Sequence, residues 1–238
     1  MKNLAKNRSN LGFGLKALLL VAVSFGSQAQ QLDAIDQAAR QNNSVQLQQL
    51  SQQSTDAYGA AYSNYRLAVA AAVQGDEATL KPALMTAAEQ LDTLLQGQPE
   101  QNLQVEALAL LASVRGMQAG YYPIKGAYYG KLSADAMAAA RQLQPENPRV
   151  LLVGAILAFQ TPAWFGGDKK AALQQADAAV TAFAAPCQHI CWGKEEAYVW
   201  RGLAKQDTGD KAGAQADWQQ ALQLSPDYQW PAQLLQRQ

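Results

Sequence analysis

The stretch "GDKAGAQADWQQALQLSP" (209–226) sets small residues, one tryptophan and a closing proline at three- and four-residue steps. Residues so spaced share one face of an α-helix, so Ala214, Trp218 and Ala221 look in one direction. Gly209-Asp210 marks a turn before them, and Pro226 ends the run. Alanine and glycine on such a face let two helix backbones approach closely. A large ring at a neighbouring position then fills the gap between one structural unit and the next.

Working outward, the same reading extends over the chain. Helical periodicity runs through 32–41, 44–53, 55–74, 77–96, 103–120, 133–144, 148–160, 168–185, 194–206 and 211–225, with no convincing period-two run for a strand. Asn42-Asn43, Gly75-Asp76 and "GQPEQN" (97–102) punctuate it. Pro82 sits near the first turns of its helix, where it is tolerated. Paired helices with small residues at fixed offsets mark a helical repeat, each hairpin burying its faces on the next.

On these residues the chain resembles the tetratricopeptide repeat (TPR) family. Ala214 takes the motif's first small position on helix B, and Trp218, Ala221 and Pro226 take its aromatic, second alanine and closing proline. Gly202 falls on the helix-A glycine, while Arg201 and Lys205 stand where the motif has Leu and Tyr, and Tyr198 where it has Trp. Upstream, Gly154 reads as a helix-A glycine and Ala172, Ala176 and Ala179 follow Gly167 at helix-B spacing. The connection between them is about six residues longer than in a standard unit. Ala140 and Pro145 close a further helix B, preceded by the stretch "YYPIKGAYYGK" (121–131), which reads as a second expanded turn. The fold so implied is all-α: a right-handed α-hairpin repeat array (a TPR-like α-solenoid) forming one domain over 30–238. Its N-terminal repeats are degenerate and "PDYQWPAQLLQRQ" (226–238) forms a C-terminal capping helix. An unrelated all-α bundle is the competing architecture.

The first 29 residues read differently. Lys2, Lys6, Arg8 and Lys16 precede the apolar run "ALLLVAVSFG" (17–26), and Ser27 and Ala29 supply the small residues of a cleavage site before Gln30. That is the form of a secretory signal peptide, and its apolar run falls well short of the ~20 residues that cross a bilayer. The mature chain is therefore expected in an exported compartment, a bacterial periplasm, without membrane insertion. Its removal leaves fifteen basic against nineteen acidic residues, a net charge of −4. Such a surface does not favour nucleic acid or an anionic membrane as partner.

Candidates for chemistry are few. The only histidine, His189, lies between the only cysteines, Cys187 and Cys191. In an exported protein the leading reading is a disulfide closing a small non-helical loop. The competing reading is a soft-metal site made by both thiolates and His189. No nucleophile elbow, phosphate loop or dinucleotide fingerprint is present, so an enzyme is not expected, and neither is a cofactor. The two long turns are the clearest departures from a plain repeat. They carry Tyr121, Tyr122, Tyr128, Tyr129, Trp164 and Phe165, rings suited to burying a partner's surface or to packing on one another. Gly166-Gly167 offers a positive-φ turn before Asp168, a good N-cap. The family resemblance implies a groove on the helix-A side, with Tyr58, Tyr62, Tyr65 and Arg115 as its candidates. It also implies a non-catalytic scaffold or adaptor role toward a protein or peptide partner in the cell envelope. The alternative is a small-ligand or soft-metal binder using the aromatic turns or the Cys187/His189/Cys191 loop.

Overall fold

Short acceptor side chains decide where most helices begin. In the computed structural model, which describes residues 29–187 and 189–237, the chain order is α1 (29–40), α2 (Ser44–Gln53), α3 (Ala57–Gln74), α4 (Glu77–Gln96) and α5 (Gln101–Tyr121). Then follow α6 (Gly126–Leu143), α7 (Pro148–Gln160), α8 (Lys169–Ala182), α9 (Lys194–Asp207), α10 (Lys211–Leu224) and α11 (Gln229–Gln236). Asn43, Asp56, Asp76, Asn147, Asp168 and Asp210 each accept from amides of the turn they precede. Those amides have no partner within the helix, so each cap removes a cost at the helix end. No strand occurs among the described residues. The expected leader lies outside them, apart from Ala29.

From α2 onward each helix packs on its neighbour in the chain. The hairpins α3/α4, α5/α6, α7/α8 and α9/α10 follow one another, and α4 on α5 and α8 on α9 join successive pairs. In addition α3 touches α5, α5 touches α7 and α7 touches α9. These four therefore form one layer, called inner below, with α4, α6, α8 and α10 as the outer one. This serial packing of pairs is that of an α-solenoid. Alanine makes it close: Ala61, Ala68 and Ala71 of α3 and Ala87 of α4 are buried completely or almost so.

The last hairpin shows the principle at atomic scale. A Cβ built on Gly202 of α9 would sit 2.8 Å from Trp218 Cδ1 and 3.0 Å from the Ala214 carbonyl oxygen of α10. The Trp218 indole donates to the Val199 carbonyl at 3.3 Å and is fully buried. Gly202→Val is expected to lower stability by about 2–3 kcal/mol, because overpacking a rigid junction forces backbone apart. Thermal unfolding followed by circular dichroism checks this, with Gly209→Ala, placed in open space at positive φ, as a smaller, purely conformational loss. α11 then covers the end of the stack, its Leu234 and Leu235 packing on the cluster of Val199, Ala214, Trp218 and Ala221.

Two local features need the structure. Arg201 and Lys205, which depart from the Leu and Tyr of the motif the sequence resembles, both turn to Asp217 of α10. Arg201 donates to both carboxylate oxygens, at 2.9 and 2.5 Å, and Lys205 Nζ lies 2.9 Å away. An ion-pair network thus ties α9 to α10. The stretch 121–131 is not an expanded turn. A short 3₁₀ turn, Pro123–Lys125, breaks the helix, and α6 starts at Gly126 rather than near Ser133. Gly126 and Gly130 lower helix propensity, but the packing of Tyr129 on Tyr122 and Arg115 overrides it.

Candidate functional site

The connections from α5 to α6 and from α7 to α8 both leave the inner layer at the C-terminal ends of adjoining helices. The second is a true loop: Pro162 starts it, Ala163–Phe165 form a 3₁₀ turn, and Gly166 at φ 93° reverses the chain before the Asp168 cap. The six aromatic side chains on and beside these connections divide: Tyr121 closes α5, and Tyr128 and Tyr129 lie in the first turn of α6. Tyr129 is buried, with Tyr122 at 5.6 Å and Tyr128 at 5.4 Å between ring centroids, the Arg115 guanidinium over it at 5.9 Å, and Met85 beside its hydroxyl. Tyr121 and Tyr122 are half-buried, and the Tyr122 hydroxyl donates to the Lys81 carbonyl. Tyr128, Trp164 and Phe165 remain 61%, 81% and 71% exposed, and Ile124 is fully exposed. The Trp164 and Phe165 rings are tilted by 55° with centroids 6.2 Å apart. Arg115 packs on the Tyr129 ring, paired with Asp92 and Gln118 rather than lining an open groove.

Tyr58, Tyr62 and Tyr65 lie on the inner layer as expected, but no open groove passes over them. All three are buried. Two elements cover α3. From one side comes α1, burying Leu32, Ile35 and Ala38, with Asp36 accepting from the Tyr62 hydroxyl. From the other comes the segment before α9, whose Trp192 donates from its indole nitrogen to the Tyr58 hydroxyl at 2.8 Å and lies on the Tyr62 ring at 5.1 Å. The first and fourth inner helices meet here: Arg66 of α3 faces Glu196 of α9 at 3.0 Å and Asp36 at 4.0 Å. The ends of the array are clasped as well. Arg40 and Gln41 donate to Asp227 at 3.2 and 3.1 Å, and Asn42 to Gln229 at 3.2 Å.

Charge in this closure is unevenly served. Burial pushes the Asp36 carboxyl up to about 6, against the opposing pull of Arg66, Tyr62 and Arg40. Burial likewise drives the Tyr58 and Tyr62 hydroxyls well above their usual range, so both stay neutral. Arg66 is buried too, which works against its charge. Glu196, Tyr62 and Asp36 more than offset that and hold the guanidinium ionised.

Cys187 and Cys191 form a disulfide, with Cα atoms 5.7 Å apart in a non-helical loop. The sulfurs bonded to each other are not thiolates, so the soft-metal arrangement loses two of its three ligands, and His189 stays exposed. Among the described residues no group of His, Cys, Asp and Glu is placed to hold a metal ion. The loop instead delivers Ile190 and Trp192 to the inner face. Sequence reading missed Trp192, Asp36 and Arg66; the only available signal was a tryptophan adjoining the second cysteine.

Among the described residues no helix is long and apolar enough to cross a membrane. Comparison with protein-family models gives no match, and comparison with curated proteins gives none.

Proposed function

We propose that this chain is an exported, right-handed TPR-like scaffold that binds a protein or peptide partner of the cell envelope without catalysis. Its binding surface is the edge carrying Ile124, Tyr128, Trp164 and Phe165. One observation carries the reading. Among the described residues seven large hydrophobic side chains are exposed; three of them, Ile124, Trp164 and Phe165, sit on the two inner-to-outer connections of successive hairpins, and a fourth, Tyr128, sits in the first turn of α6 beside one of them. Exposed apolar rings grouped this way mark interaction surfaces, since aromatics bury much area at little entropic cost. The loop carrying Trp164 and Phe165 is fixed by the Asp168 cap and by Lys169, which donates to the Phe159 carbonyl at 2.6 Å. The rings are therefore presented by an ordered frame.

Photo-crosslinking residues placed at 124 and 165 test this in the cell of origin. The same discrete partner is expected from both positions, with yield falling several-fold on Trp164→Ala, and no such product from Val73, exposed on α3. Equal labelling from Val73, or none from 124 and 165, would overturn the proposal. Tyr129→Ala serves as the packing control and should lower helicity or melting temperature, which Trp164→Ala should leave alone.

A further inference from the structure

A second surface, independent of the aromatic edge, lies under α1. We propose that the inner face between α3 and α9 is a binding site for an amphipathic helix, which α1 fills in cis and which a better-matched partner helix takes over by displacing it.

The seat is built for a helix. α1 buries Leu32, Ile35 and Ala38, an apolar row at three-residue steps, in the core cluster that also holds Tyr58, Tyr62 and Trp192, and Asp36 accepts from the Tyr62 hydroxyl. That is how an amphipathic helix anchors in a groove. The fit of α1 is incomplete at its polar positions. Arg66 Nε is buried with no hydrogen-bond partner, and Glu196 Oε2 is held by charge alone without a hydrogen bond. The Asp36 carboxylate stops 4.0 Å short of Arg66. A buried donor left unused is a cost that a different occupant can remove.

The attachments of α1 suit release. Its clasp to the far end of the chain consists of Arg40, Gln41 and Asn42 on Asp227 and Gln229, all part-exposed or exposed. Behind it, residues 41–43 form a short connection with Asn42 at φ 50°, and α2 is capped separately by Asn43. α1 can therefore leave as a unit while α2 keeps its own start. The partner's chemistry follows from the mismatch. It is a helix with Leu, Ile and Ala at the α1 spacing and a glutamate where α1 has Asp36, because one more methylene brings a carboxylate to Arg66.

The test uses the full chain and two fluorescently labelled peptides, residues 29–43 as they stand and the same peptide with Asp36→Glu. Cis occupancy lowers the apparent affinity by the fraction of open molecules, so weakening α1 must raise it. In fluorescence anisotropy the native peptide is expected to bind Ile35→Ala chain about tenfold or more tightly than wild type. The Asp36→Glu peptide should bind more tightly than the native one. Hydrogen exchange on wild type should show the amides of 32–40 opening about tenfold or more faster than those of α5. If Ile35→Ala loses its helicity, the double variant Gln41→Ala/Asn42→Ala, which removes two of the clasp's three side chains, is read in its place. Peptide binding that does not rise in the folded loosened variant, or α1 amides exchanging together with α5, overturns the proposal.

Discussion

Trp192→Ala is expected to cost about 3–5 kcal/mol, the range for emptying a buried tryptophan site. For a chain of this size that is a fall in melting temperature of roughly 10 °C. The ring fills the space between α3 and the start of α9, and its removal leaves the Tyr58 hydroxyl without its indole donor. The Tyr62 ring loses its stacking partner in the same step. Reduction of Cys187–Cys191 should cost less. A loop of so few residues constrains the unfolded chain by only about 2 kcal/mol. Comparing the melts of oxidised wild type, reduced wild type and Trp192→Ala separates two accounts of this segment. If the tryptophan anchors it, the reduced protein keeps most of its stability and the variant does not. Equal losses would mean that the disulfide alone places the segment, and that Trp192 rests there without holding anything.

How much could be read in advance depends on how local each determinant is. Gly75-Asp76, Asn42-Asn43, Asp168 and Gly209-Asp210 act on the residues beside them, so the starts and stops they set were legible. Ala214, Trp218 and Ala221 were legible for a related reason, since one helical turn relates them. The start of α6 was not. Gly126, Gly130 and Pro123 argue locally for a loop, and only the tertiary packing of Tyr129 outweighs them. Nor was the closure. Nothing near Arg40 points to Asp227, which lies 187 positions further on. Nothing near Tyr62 announces that α1 and Trp192 cover it. The candidate site divides on the same line. The rings of the two connections were identifiable by type and position. That Tyr129 turns inward depends on Arg115 of α5 and Met85 of α4, which pack against it.

The ion pairs follow a pattern that the spacing of apolar residues hides. Asp217, nearly buried, takes Arg201 and Lys205. Glu106 of α5, equally buried, takes Arg149 of α7 and an Asn147 amide at 2.8 Å. Arg66 and Glu196 join α3 to α9. Each pair bridges two helices. Removing one partner of such a pair strands a charge, so losing either side costs more than the intact pair adds. The same reasoning makes Asp36 the odd member, a buried carboxylate for which the cationic partners are already largely committed elsewhere.

Asp36 should therefore give the protein a pH dependence of unusual sign. Its carboxyl is raised from 3.8 to about 6 by burial, with Glu195 adding to the effect. A raised acid binds its proton more tightly in the folded chain than in the unfolded one. Its stabilising effect is thus fully present below about pH 4 and is lost as pH rises through about 6. The shift corresponds to about 3 kcal/mol between the two limits. Asp36→Asn keeps an acceptor for the Tyr62 hydroxyl and never ionises, so it should be more stable than wild type by up to about 3 kcal/mol at pH 8. At pH 4 the two should converge. Urea titrations of both proteins between pH 4 and 8 check this, because groups common to the two cancel in the difference. A difference that stays flat across that range would mean that the carboxylate is stabilised as an ion, with Arg66 serving it as fully as it serves Glu196. The closure would then hold a matched pair on each side, and α1 would be an integral part of the core with no reason to leave it.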